Sequence, residues 1–182
     1  KVAGQTLFAD DVVLPRMAYA KILRSPHPHA RIRSIDVARA AAHPGVLATL
    51  VGSELPIPFG ILPVSQDEHA LCPDVVRFVG DPVAAVAAVD EETALAACGL
   101  IDVVYEPLPV IGSVDDAAAT PAPQLHGYAD EGNWHKLVHL QFGELDEGFR
   151  RADLVREDLF FYEGNTHLPM EQHASIAHAT PA

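Results

Sequence analysis

The run Asp74–Pro109, DVVRFVGDPVAAVAAVDEETALAACGLIDVVYEPLP, decides the fold, because signals for strand, turn, buried strand, helix and strand follow without a gap. Val75–Val79 is a short β-branched and aromatic run, the composition of a strand. Gly80-Asp81-Pro82 is turn chemistry: Gly tolerates positive φ, Asp bonds its own backbone and Pro fixes φ for the return. Val83–Val89 contains no polar residue and suits a strand covered on both faces. Asp90 can cap the helix that follows, with Glu91 and Glu92 in the favourable first turn. Ala94, Leu95, Ala97 and Cys98 make an apolar stripe at helical spacing, and Gly99 can end it. Ile101, Val103 and Tyr105 then alternate with Asp102, Val104 and Glu106, a half-buried strand closed by Pro107 and Pro109. Nothing in this run carries chemistry. It is scaffold.

Upstream, Met17–Leu23 and Ala30–Ile35 read as strands joined by the turn Ser25-Pro26-His27-Pro28. Val37–His43 is Ala-rich and helical up to Pro44-Gly45, and Val46–Val51 is a buried strand. Ser53–Pro73 is a long loop, since Pro at 56, 58, 63 and 73 removes too many donors for regular structure. These elements define one α/β domain over residues 1–110. Residues 111–131, with VDDAAATPAPQLHG at 114–127, read as an interdomain linker over the surface. From residue 132 the pattern turns β-rich: Lys136, Val138, Leu140 and Phe142 alternate with Leu137, His139 and Gln141. Glu144–Ala152 reads as a short helix, acidic first and basic last, and Leu154–Tyr162 and His173–Ala179 as two further strands. Three strands and one helix over about 50 residues cannot bury both sheet faces, so residues 132–182 are expected to be an incomplete unit.

Apolar residues make up 49% of the 182, too many for disorder, yet no run reaches the roughly 18–20 residues that span a membrane. A net charge of −13 argues against nucleic-acid or anionic-membrane partners, which need a basic patch. Lys21–Arg33 is locally basic, but Arg31 and Arg33 alternate with Ile32, the pattern of a solvated strand face. Cys72 and Cys98 lack CxxC spacing and are expected as buried thiols in a reducing cytoplasm. The chain opens without Met on a mid-protein word, which points to a piece of a longer protein.

His27 and His29 have the spacing of two ligands on one strand face. Pro26 and Pro28 place them in a turn, however, and no Cys or carboxylate pair lies close enough in sequence to complete a metal site; loop packing is the expectation. Asp67, Glu68 and His69 can form an acid/base cluster, against the plainer reading of an exposed polar loop, and Asp81 is read as a turn former. Tyr162–Ala177, YEGNTHLPMEQHASIA, brings Glu163, His167, Glu171 and His173 together around Gly164 and Pro169, as ligand pockets do. No GxSxG, HExxH, strand-linked GxGxxG or Walker word is present, and no nucleophile has an identifiable base.

With the deciding run, Gly4–Pro15 (GQTLFADDVVLP) and Lys21–Asp36 (KILRSPHPHARIRSID), the chain resembles the large subunit of the molybdenum hydroxylases, the xanthine and aldehyde oxidase family, over essentially its whole length. The resemblance implies an α/β (α+β) hammerhead-type domain with a mixed sheet, followed by the β-rich start of a molybdopterin-binding domain. Within the family, Pro56–Glu68, Gly80–Val89 and His135–Gly143 look most like the large subunit of 4-hydroxybenzoyl-CoA reductase.

The resemblance implies a molybdenum-dependent oxidoreductase with molybdopterin of the cytosine dinucleotide type. Two [2Fe–2S] clusters and FAD would sit on partner domains or subunits, and the substrate would be a small aromatic molecule. It places Glu171 at a recurrent Glu position near the cofactor; the alternative is a buried structural carboxylate. The Thr-Gln word, GGGFGG-type loop and late glutamate of the family are not found up to Ala182, and no cysteine pattern for iron–sulfur clusters is present. The segment alone is therefore expected to be inactive, a cover for the cofactor domain. Phe59 and Leu62, in a loop richer than a connector needs, are expected to line a substrate funnel or an interface with the remaining molybdopterin-binding domains or the iron–sulfur and flavin subunits. If the nearer subfamily holds, the reaction removes a phenolic hydroxyl from an aryl-CoA thioester. The runner-up is hydroxylation of an aldehyde or N-heterocycle. From residues alone, a non-catalytic assembly or binding module fits equally.

Overall fold

The computed structural model describes residues 2–62, 65–119, 123–127, 132–166, 168–169 and 173–179. The chain divides into two units, Arg16–Leu137 and Lys1–Pro15 with Val138–Ala182. The first holds β1 (Tyr19–Arg24), β2 (Ala30–Asp36), α1 (Ala38–Ala41), β3 (Val46–Val51), β4 (Pro58–Phe59), β5 (Glu68–His69), β6 (Val75–Val76), β7 (Pro82–Ala88), α2 (Glu91–Cys98), β8 (Asp102–Pro107) and α3 (Val114–Ala119). The second holds α4 (Leu145–Arg151).

Sheet orders are β1-β7-β3, β6-β2-β8 and the small pair β4-β5. Every pairing among the described residues is antiparallel, which corrects the expected mixed sheet. The reason lies in the deciding run: the two strands that flank its helix, β7 and β8, join different sheets, so the strand-helix-strand unit makes no parallel pair. β7 is the central strand of its sheet, and its neighbours Val83 and Ala84 are both fully buried though they face opposite ways. Val83 packs with Ala30, Cys72 and Val76, whereas Ala84 and Val86 pack with Ala40, Ala97, Cys98 and Ile101. A strand without a polar side chain thus separates two clusters, as its composition requires. Burying a Val side chain fully contributes about 1.5–3 kcal/mol.

Asp90 Oδ1 accepts the Thr93 N–H at 2.7 Å and caps α2, and this bond holds its carboxyl below the usual range. Ala94, Ala97 and Cys98 are buried, but Leu95 is exposed. It lies one residue, about 100°, off the 94/97/98 face. The expected strand Val75–Val79 stops at Val76, because the Arg77 N–H donates to Asp81 Oδ2 at 2.9 Å instead of to a ladder.

In the second unit α4 forms where the charge pattern predicts, with Asp146 and Glu147 first and Arg150 and Arg151 last. The expected strands at Lys136–Phe142, Leu154–Tyr162 and His173–Ala179 pair with nothing among the described residues. Strands need a partner ladder and a covered face, and Leu159, Phe160 and Phe161 have neither: each is at least 85% exposed. No helix among the described residues is long and apolar enough to cross a membrane.

Candidate functional site

One cleft of about 530 Å³ lies within the first unit, and the turn chemistry of Gly80-Asp81-Pro82 builds one wall of it. Gly80 has φ +98°, a conformation that favours glycine. Its N–H donates to Ser25 O at 2.8 Å, while the Ser25 N–H donates to Asp81 O at 2.9 Å, so two turns clamp each other. Arg24 Nη1 adds a bond to Gly80 O at 2.8 Å. Asp81 accepts from the Arg77 backbone, as a turn former does. Desolvation raises its pKa, against the Arg77 N–H bond and the Arg77 and Arg24 charges.

The opposite wall comes from Ser65, Asp67, Glu68 and His69 around β5. The acid/base cluster read from sequence at 67–69 is brought to the cleft, but its hydrogen-bonded pair is a different one. Asp67 Oδ2 meets His126 Nδ1 at 2.7 Å, across 59 residues of sequence. Arg77, Phe78 and Cys72 complete the lining. Burial pushes the Cys72 thiol up to about 11, so it is neither a nucleophile nor a metal-ready thiolate at neutral pH. Sequence reasoning missed Arg77 and His126, whose roles depend on non-local contacts that no spacing rule encodes.

His27 and His29 serve packing. His29 is buried, its Nδ1 donating to Pro109 O at 2.6 Å, which ties the ring to the chain just beyond β8. The His27 ring lies against Tyr105 with centroids 4.8 Å apart. Phe59 and Leu62 are both about half exposed, near the Pro-rich loop's turn. Glu163 and His173 are exposed in the second unit; Glu171 and His167 lie outside the described residues.

No group of three or more His, Cys, Asp or Glu able to hold a metal occurs among the described residues. The cleft sets three carboxylates, Asp67, Glu68 and Asp81, against one guanidinium that already serves two backbone carbonyls. A pyrophosphate-bearing pterin dinucleotide does not fit that balance.

The domain model for the a/b hammerhead domain of aldehyde oxidase and xanthine dehydrogenase matches residues 3–109. The chain belongs to this family. It is 38% identical over 179 residues to a subunit of a probable xanthine dehydrogenase from Bacillus subtilis, covering 97% of this chain and 23% of that protein. It is 37% identical over 180 residues to the nicotinate dehydrogenase large molybdopterin subunit of Eubacterium barkeri, covering 98% of this chain and 41% of that one. Among solved structures, quinoline 2-oxidoreductase from Pseudomonas putida 86 matches with TM-score 0.64 and 34% identity, over 71% of this chain and 17% of that one. The chain thus spans between 17% and 41% of the length of these relatives. The mixed α/β fold with small antiparallel sheets is that of the hammerhead domain.

Proposed function

We propose that this chain is the scaffold portion of the large subunit of a molybdenum-dependent iron–sulfur oxidoreductase acting on an aromatic or N-heterocyclic carbon. The observation that carries the reading is the hammerhead match over residues 3–109 together with a relative named as a nicotinate dehydrogenase large molybdopterin subunit. The parent would hold molybdopterin, as the cytosine dinucleotide, on domains beyond the described cleft, with [2Fe–2S] clusters and FAD on partner domains or subunits. A relative named as part of the 6-hydroxypseudooxynicotine dehydrogenase complex supports that multi-subunit arrangement. Two free buried cysteines support a cytoplasmic location.

In this reading residues 1–110 are the hammerhead domain, 111–131 connect it onward, and 132–182 begin the first molybdopterin-binding domain, with Glu171 a candidate cofactor neighbour. The exposed apolar run Leu159–Tyr162 supports completion of that domain by further sequence. Phe59 and Leu62 line the substrate funnel or a subunit interface.

Oxidative hydroxylation of an N-heterocycle is favoured over reductive dehydroxylation of an aryl-CoA thioester. Relatives named for nicotinate and quinoline support the former, whereas the latter rests on the words Pro56–Glu68, Gly80–Val89 and His135–Gly143.

The test is turnover by the full-length protein, purified with its partners, of nicotinate, quinoline, simple aldehydes and an aryl-CoA thioester. Hydroxylation of a heterocycle supports the favoured reading, and turnover of the thioester alone replaces it with the reductive one. Activity on none of them, with no molybdenum bound, leaves the assembly module. In the active enzyme, Phe59→Ala with Leu62→Ala is expected to raise KM several-fold or weaken subunit association. Unchanged kinetics and association would reject that role.

A further inference from the structure

Residues 111–131 read as a linker crossing the surface, yet the described part Pro123–Gly127 is tied down by side chains from both walls of the cleft. Arg77 Nε donates to Leu125 O at 2.6 Å, while its Nη1 donates to Val75 O at 3.1 Å, so one guanidinium joins the segment to the residue that opens β6. His126 Nδ1 lies 2.7 Å from Asp67 Oδ2 on the other wall. The segment is also braced from behind. The Leu125 N–H donates to Asn133 Oδ1 at 2.8 Å, and Asn133 Nδ2 donates to Pro123 O at 3.1 Å, closing a loop across ten residues.

A segment that merely crosses a surface leaves its backbone polar groups to water. Here the N–H and the C=O of Leu125 are both taken by side chains, and the carbonyl's partner is charged. The two anchors also come from separate stretches, one before β5 and one after β6, so the segment bridges them rather than following either.

We propose that Arg77 and Asp67 are positioning residues of a latch that straps residues 123–127 across the cleft and fixes the path of the chain as it leaves the hammerhead domain. Arginine suits the role because its planar fork donates in two directions at once, toward Leu125 O and toward Val75 O. Lysine, with one nitrogen on a flexible stem, cannot hold both carbonyls in that geometry. Glu68, His69 and Asp81 also line the cleft, and of these Asp81 interacts electrostatically with His126, while the hydrogen bond goes to Asp67.

The experiment is peptide-resolved hydrogen exchange on the full-length protein, comparing residues 123–127 with β7 and α2 as internal controls. Arg77→Met and Asp67→Ala are each expected to speed exchange in 123–127 by about tenfold or more, leaving β7 and α2 within about twofold of wild type. Arg77→Lys should restore protection only in part. His126→Asn, whose amide nitrogen stands where Nδ1 does and keeps an N–H donor toward Asp67, should stay near wild type, whereas His126→Ala should behave like Asp67→Ala. If Arg77→Met does not fold, the Asp67 and His126 variants decide alone. Exchange in 123–127 unchanged in those variants overturns the latch, and so does equal loosening of β7 and α2, which would make these contacts general packing.

Discussion

Replacing Gly52 by Ala is expected to loosen the hammerhead domain far more than replacing Gly80, although Gly80 is the glycine with positive φ. A Cβ at Gly52 would stand 2.3 Å from Cys72 O, 2.5 Å from the Cys72 carbonyl carbon and 2.7 Å from Leu71 O. Ordinary contact begins near 3.4 Å, so the crossing backbone must retreat by about 1 Å. That backbone is not free to move, because the Cys72 N–H donates to Pro82 O at 2.7 Å at the start of β7. Overpacking costs about 1–3 kcal/mol, and a weakened buried hydrogen bond adds about 1 kcal/mol. Stiffening of the unfolded chain by Ala offsets up to about 1 kcal/mol, leaving a net loss of about 1–4 kcal/mol, centred near 2–3 kcal/mol. At Gly80, where φ is +98° and no atom lies within 4 Å of the new Cβ, only the conformational term of about 1–2 kcal/mol applies, less the same offset. Hydrogen exchange at β7 and α2 in the full-length protein reads the difference. Gly52→Ala should speed it roughly 30- to 150-fold and Gly80→Ala about fivefold. A Gly52→Ala protein within about threefold of wild type, or no looser than Gly80→Ala, would refute the close approach.

Two further outcomes follow from the core and from Cys72. Val86→Ala removes two methyl groups from a fully buried position between β7 and the helices and should cost about 2 kcal/mol, measured by the same exchange; a change below about 0.5 kcal/mol would mean that β7 is not covered there. The Cys72 thiol titrates near 11 when folded against 9.0 when free. Its contribution is therefore fully present below pH 9 and is lost as pH rises from 9 to 11, since the unfolded chain releases its proton first. Local exchange around Cys72 should be flat from about pH 6 to 9, after correction for intrinsic rates, and rise above 9. Cys72→Ala should flatten that rise, and a slope persisting in this variant would assign it elsewhere.

What the sequence made legible was local. The capping of α2 by Asp90, the turn at Gly80–Pro82 and the double-sided burial of β7 each depend on residues within a few positions of one another, and all three appear as read. Even there, competition between neighbours shortened one strand, because the Asp81 carboxylate takes the N–H that Arg77 would have given to a ladder. What was not legible was long-range. Alternating Leu, Val and Phe residues after 132 carry a strand pattern, but a pattern becomes a strand only beside a partner, and none lies among the described residues. The pairing of Asp67 with His126 rather than with its sequence neighbour His69, and the crossing that requires Gly52 to lack a side chain, are set by how distant loops meet.

In the proposed function these residues would form a supporting shell whose molybdenum cofactor is gripped elsewhere in the parent protein. Molybdenum analysis, with the absorption spectrum, of the full-length protein beside the 182-residue polypeptide tests it most directly. Molybdenum is expected in about equal proportion to the full-length protein and absent from the shorter chain. Stoichiometric molybdopterin retained by the 182-residue polypeptide would contradict it.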